Sequence, residues 1–235
     1  MSFEHATKVD NLTSMHDCLK TGAFSDLTIT CGDMTWNAHR VVVCPKSSFF
    51  RAACVGNFKE AVTGIISLED DNPLAVNFMM DYIYTNDYTI NKQPKDVLSR
   101  LRMHVQVYCL GDKYDIVGLR RMATFSYEDV LDEATFEEFL ASIPEVYLPQ
   151  ASNGLRKSAI NHMRRARATE TWTDESKSNL KRVMKDVPEF GSDLIEDFIT
   201  APVKGRCREC GSHDTKFVVA CADCGSEHDD SETTF

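Results

Sequence analysis

Within residues 23–125 the apolar positions change period, and this limits what the chain can fold into more than any other feature. Leu27-Thr28-Ile29-Thr30-Cys31 alternates apolar and polar residues, the period of a half-buried strand. Gly32-Asp33 then supplies a turn and Thr35-Trp36 a second extended stretch, so a strand pair is expected. Ile65-Ile66-Ser67-Leu68 reads as a further, buried strand. The rest of the zone has helical spacing. Ser47 to Cys54 is a short helix, and Asp71-Asn72-Pro73 starts another, since proline at the first helical position loses no useful N–H. That helix, Leu74 to Tyr84, carries Phe78, Met79, Tyr82 and Ile83 on one face. Pro94 starts a third, in which Val97, Leu101, His104, Val105, Tyr108 and Cys109 recur with helical period. Gly111 is expected to interrupt it before Lys113 to Leu119 begins a helical hairpin. Few strands among many helices give an α+β class.

Composition separates this zone from its flanks. Residues 1–22 are polar, with a short helix ending near Thr21-Gly22. Residues 126–202 are helical and more charged: Thr135 to Ala141, Asn153 to Ala168, and Asp174 to Thr200 with a break at Pro188. Residues 203–228 hold four of the nine cysteines, all in pairs, and the acidic, polar end from Glu227, with 229–235 as its tail, is expected to be disordered.

The formal charge of −10 argues against wrapping a phosphate backbone, because that affinity comes mainly from lysine and arginine displacing counterions. The densest basic run, Arg164-Arg165-Ala166-Arg167, reads as a solvated helix face, with a nuclear-import or anion patch as the alternative. No apolar run approaches the roughly 20 residues that cross a bilayer, and Met1 to His5 lacks the pattern of a secretion signal. A cytoplasmic or nuclear location follows as an expectation. In that reducing setting, burial or metal explains the cysteines better than disulfides do.

Cys207-x2-Cys210 and Cys221-x2-Cys224 are ten residues apart, and Gly211 and Gly225 follow the second cysteine of each pair. Two thiolates three positions apart grip one ion from a tight turn, and glycine lets the turn close so that backbone N–H groups point at sulfur. Lys216 to Ala220 reads as the strand between the knuckles. Four thiolates make a closed tetrahedral site, so one structural Zn2+ is expected, stabilising a segment too small for a core of its own. His213 or His228 replacing one cysteine, or a redox pair, are the alternatives. Residues 203–235 carry four basic side chains against seven acidic ones, a net of −3 and the wrong sign for a phosphate reader.

No sequence pattern supplies a nucleophile, a base and an oxyanion donor together, so no catalytic residue is expected. Cys44 or Cys54 beside His39 is the one conceivable thiol–imidazole pair, and small buried thiols with a structural histidine are the plainer reading. Asp70-Asp71 reads as a helix start rather than an acid–base dyad.

A series of segments now falls into a familiar order. Ser25-Asp26-Leu27-Thr28-Ile29 is followed by Asn37-Ala38-His39-Arg40-Val41-Val42-Val43, Ser47-x-Phe49-Phe50 and Phe58-Lys59-Glu60. Ile66 to Pro73, Tyr82 to Tyr88 and Leu110 to Leu119 complete it. Together, over about a hundred residues, they resemble the BTB/POZ family of short fungal-type proteins. Val43-Cys44-Pro45-Lys46 departs from the family's leucine-rich lead into the serine.

The resemblance implies a helical cluster with a small flanking sheet (23–125), a helical extension (126–202) and a protein-binding rather than enzymatic role. Asp26 and Arg40 match the charged pair that many members bury near a homodimer interface; a helix cap and a surface charge are the alternative. Met15, Cys18 and Leu19 match the helix that dimeric members pack on the partner. Phe58-Lys59-Glu60 fits the hydrophobic-x-Glu element with which cullin adaptors hold the N-terminal region of the ligase; a core role for Phe58 is the alternative. Two functions follow: an adaptor serving a cullin-type ubiquitin ligase, with the zinc segment in place of a substrate-choosing domain, or a transcription-associated regulator whose zinc segment touches chromatin.

Overall fold

The computed structural model describes residues 15–88, 96–148, 153–169 and 172–200, and two short strands at 219–220 and 227–228. Its class is α+β, as expected, with a three-stranded sheet on a mostly helical body.

A first helix, α1 (15–21), leads to β1 (Leu27–Cys31) and β2 (Met34–Ala38), paired antiparallel across Gly32-Asp33. Leu27, Ile29 and Cys31 point inward and Thr28 and Thr30 lie half-exposed, the alternation read from sequence. Three short helices follow: α2 (Arg40–Val43), α3 (Ser48–Val55) and α4 (Lys59–Thr63). The chain then returns as β3 (Ile65–Ser67), parallel to β1 and at the sheet edge in the order β2-β1-β3.

The central helix, α5 (Pro73–Thr85), starts as its residues dictate: the Asn72 side chain accepts from the Leu74 N–H at 2.9 Å, and Pro73 occupies the first turn. Ala75, Val76, Phe78, Met79, Met80, Ile83 and Tyr84 are buried, so α5 packs on more than the one face expected. Asp70-Asp71 leads into the helix as expected, and Asp71 has a further role. The Asp71 carboxylate accepts from Lys113 Nζ at 2.8 and 2.9 Å and from the Tyr114 hydroxyl, tying the approach to α5 to the end of α6 (Val97–Lys113).

Helix α6 is capped by Asp96, whose side chain accepts from the Ser99 N–H at 2.8 Å; Pro94 lies outside the described residues. Gly111 does not interrupt it. The helix continues through Gly111 to Lys113 because α7 (Val117–Leu131) crosses there so closely that a Cβ would lie 2.9 Å from Arg120 Cγ. Gly118 admits the Tyr82 hydroxyl in the same way, to 2.0 Å from where a Cβ would be.

The boundary placed at 125/126 falls inside α7. Beyond it come α8 (Phe136–Val146), α9 (Asn153–Thr169), α10 (Asp174–Asp186) and α11 (Pro188–Thr200), the last two divided at Pro188 as expected. Thr135 and Glu138 form a reciprocal capping box at the start of α8. These helices share one apolar core with the first half, continuous from Leu19 to Phe190. The Arg164-Arg165 run is not a free basic face. Arg164 bridges α9 to Asp197 of α11, with Nε–Oδ2 at 3.0 Å and Nη2–Oδ1 at 2.6 Å, and Arg165 lies 3.5 Å from Asp132.

Two buried histidines hold the first half together. His39 Nε2 lies 2.7 Å from the Ala23 carbonyl, which can only accept, so Nε2 carries the proton and Nδ1 accepts from the Tyr84 hydroxyl at 2.8 Å. That hydroxyl in turn accepts from the His39 N–H at 2.9 Å, and burial pushes its pKa up to about 12. His104 Nδ1 pairs with the Tyr88 hydroxyl at 3.0 Å, and burial, helped by the charge of Arg100, lowers its pKa to about 4.

Two predictions follow. Tyr84→Phe leaves a buried N–H and ring nitrogen without their partner, and is expected to lower unfolding free energy by about 1–3 kcal/mol in urea titrations. His104 has a folded pKa below its unfolded value of about 6.5, so its share of stability is present above that pH and declines as pH falls towards 4. In His104→Gln, which still accepts from Tyr88 but does not titrate there, the thermal midpoint is expected to fall less than in wild type between pH 6.5 and 4; equal slopes would refute the assignment.

Candidate protein-interaction surface

The turn between α3 and β3 sets the geometry of an open groove. Helix α3 starts at Ser47, whose hydroxyl accepts from the Phe50 N–H at 3.1 Å, and stops at Gly56. A Cβ at Gly56 would lie 2.6 Å from the Ala52 carbonyl oxygen and 2.9 Å from the Phe58 ring, so glycine allows Phe58 to fold back against the helix end. One turn later Gly64 ends α4 in the left-handed region, φ 66°, and turns the chain into β3.

The groove encloses about 520 Å3. Its walls are Phe49, Ala52 and Ala53 of α3, Phe58 with Glu60 and Thr63 around α4, and Ile65 and Ile66 of the edge strand. Phe58 is 59% exposed, which removes the core alternative for it, and Glu60 is half-buried at the same lip. Phe49 stands partly exposed against Phe50 and Tyr114, with ring centroids at 5.4 and 4.8 Å. A wall of aromatic and aliphatic side chains with one acidic group at its rim suits a protein partner.

Asp26 and Arg40 lie behind the groove, joined through the backbone. The Asp26 carboxylate accepts from the Arg40 N–H at 2.8 Å, at the start of α2. The Arg40 guanidinium instead reaches the carbonyl oxygens of Cys54, at 3.4 Å, and Ala61, at 3.2 Å, the ends of α3 and α4. Of the residues expected on a partner-facing helix, Leu19 is buried in the core of its own chain; Met15 packs half-buried against that core, and Cys18 is half-buried. His16 Nε2 lies 3.2 Å from Asp81 Oδ1, fixing α1 to α5.

Sequence reading missed three exposed apolar residues: Phe24 and Val41, near Asp26 and Arg40 in the chain, and Val62, next to the Ala61 whose carbonyl Arg40 holds. Phe24 is 91% exposed and held at φ 63°, a backbone region unusual for a bulky side chain. A positive φ leaves no trace in sequence.

The conceivable thiol–imidazole pair does not form, since both ring nitrogens of His39 are engaged with Ala23 and Tyr84. Burial, and then the neighbouring Cys44, push the Cys54 thiol up to about 11, away from nucleophilic character. Cys18, Cys31, Cys44, Cys54 and Cys109 are free thiols.

Among the described residues no cluster of His, Cys, Asp or Glu suits a metal. The expected ligands Cys207, Cys210, Cys221 and Cys224, and the alternative His213, lie outside the described residues. Two strands bracket the second cysteine pair: β4 (Val219–Ala220) is antiparallel to β5 (Glu227–His228), with Ala220 opposite Glu227. Glu227 and His228 thus belong to a strand pair rather than to the expected disordered end.

Several known proteins are similar to parts of this chain. Human Kelch repeat and BTB domain-containing protein 4 is 28% identical over 102 residues, 43% of this chain and 17% of that protein. A BTB/POZ domain-containing protein of Arabidopsis thaliana is 28% identical over 162 residues, 69% of this chain and 46% of its own length. The chain therefore spans less than half of either relative. The solved BTB domain of zebrafish PATZ1 aligns with 57% of this chain and 97% of its own at a TM-score of 0.42 and 14% identity. The BTB/POZ family model matches residues 15–128, from α1 into α7, and this part of the chain is a BTB/POZ domain.

Proposed function

We propose that the chain is a protein-interaction adaptor of a cullin-type ubiquitin ligase, working through the groove at Phe58 and Glu60. The observation that carries this reading is the exposure of Phe58 beside Phe49 and Ile65, with the Glu60 carboxyl at the same rim. The cullin's N-terminal region would place an apolar side chain among the aromatic rings and a hydrogen-bond donor on Glu60. Fully burying one phenylalanine stabilises a complex by about 1.5–3 kcal/mol. A central aromatic of this kind is the usual energetic anchor of an interface.

The exposed Phe24, Val41 and Val62 around the Asp26–Arg40 link support a homodimer face on the same domain. The location that suits such an adaptor is the cytoplasm or nucleus. Among the described residues no helix is long and apolar enough to cross a membrane.

Cys207, Cys210, Cys221 and Cys224 would hold one structural Zn2+. The β4–β5 pairing supports this, because it forms a hairpin with the second cysteine pair between its strands. The ion supplies the folding energy that a two-stranded hairpin lacks alone. The segment is then the candidate reader of a substrate. The alternative, a transcription-associated regulator touching chromatin, is disfavoured by the net charge of −3 over 203–235.

Two measurements test these readings. Purified protein is expected to bind the N-terminal region of the host's BTB-binding cullin at micromolar Kd or tighter, and Phe58→Ala/Glu60→Ala to weaken it by about 30-fold or more. Absence of wild-type binding by calorimetry would remove the ligase assignment. Mass spectrometry of the native protein is expected to show one zinc per chain. Cys207→Ser or Cys221→Ser should lose it and open residues 203–228 to protease while leaving the thermal midpoint of the core unchanged; unchanged protease resistance would refute the site.

A further inference from the structure

Helix α11 has two apolar faces, and only one of them is accounted for by the core. Phe190 is fully buried and Leu194 packs half-buried against the core, while Asp197 binds Arg164 of α9. On the other side Ile195 is 57% and Ile199 74% exposed, one helical turn apart. With Ser192, Glu196 and Thr200 they line a shallow depression of about 330 Å3. A surface helix ordinarily keeps one apolar stripe and a polar back. A second stripe at the last turn marks a docking face.

We infer that the cysteine-rich segment 203–228 of the same chain docks on this face, an inference that rests on the zinc reading above. Reach is the first argument. The helix ends at Thr200, and three residues of extended chain, to Val203, span at most about 11 Å. The segment is therefore held beside Ile195 and Ile199 at an effective concentration in the millimolar range. No free partner competes easily with such a tether.

Charge is the second. Helix α11 carries Glu189, Asp193, Glu196 and Asp197 and no basic residue, and its C-terminal end adds partial negative charge. The segment begins with Lys204, Arg206 and Arg208, a basic start complementary in charge to the acidic helix. Need is the third. Strands β4 and β5 pair over two residues each, and a hairpin that short requires a second layer as well as a metal. The extension and the zinc segment then form one rigid unit, which fixes where a substrate read by that segment would sit relative to the groove at Phe58.

Trypsin digestion of the full-length, zinc-loaded protein tests this, because Lys204, Arg206 and Arg208 flank the docked face. In Ile195→Asp/Ile199→Asp, cleavage at these sites is expected to rise about tenfold or more, with one zinc per chain retained and the core's thermal midpoint unchanged. Unchanged cleavage in a folded, zinc-bound variant overturns the inference. So does a dimer that becomes a monomer with cleavage unchanged, which assigns the stripe to a second copy. Should the aspartates unfold the core, Ile195→Ser/Ile199→Ser is judged by the same readout. If the wild type holds no zinc, the metal reading fails by itself. Docking is then decided by deleting 203–235, which must raise hydrogen exchange across 192–200 if the segment covers the helix; unchanged exchange overturns it.

Discussion

The first half of the structure depends on three hydrogen bonds around one buried imidazole. His39 stands where β2 gives way to α2, with its ring between the Ala23 carbonyl before β1 and the Tyr84 hydroxyl near the end of α5. The backbone N–H of the same residue returns to Tyr84, so sheet, loop and central helix meet with every polar atom of the ring matched. The sheet is otherwise small, three strands of at most five residues, and leans on this junction and on apolar burial for its place against α5.

Much of this was legible where local and tertiary demands coincide. Strand β1, the cap at Asn72, and the break at Pro188 each follow from a short-range rule, and packing has no reason to override it. Gly111 shows the opposite. A glycine inside a helical pattern reads as a stop, yet here its missing Cβ admits α7, a contact between residues nine apart that no local pattern reports. Asp71 stands at the helix entry as read, but its partners Lys113 and Tyr114 were not legible: they are more than forty residues away, and only the return of α6 brings them to it. The limit at 125/126 followed a rise in charge, whereas α7 belongs to both halves and carries core residues on either side of it.

The groove was legible only as three residues. Phe58 and Glu60 were found because they stand together in sequence, but Phe49 and Ile65, which complete the wall, come from a preceding helix and a following strand. Exposure was the missing quantity. An apolar residue reads alike whether it faces core or solvent, and the turn at Gly56 decides that Phe58 folds over the helix end rather than under it.

Arg40 connects these observations. It was expected to act through its charge at a subunit face, yet its guanidinium grips the last turns of α3 and α4, the two helices that form the groove. Helix α4 has five residues and buries none of them, so apolar packing alone would leave it poorly held. The bond to the Ala61 carbonyl and the left-handed cap at Gly64 fix it instead. A lip held in this way loses little conformational entropy when a partner arrives, which favours affinity without added contact area. Asp26, by accepting the Arg40 N–H, sets the start of α2 and hence the position from which the guanidinium reaches. Displacing the Asp26–Arg40 link would therefore loosen the groove as well.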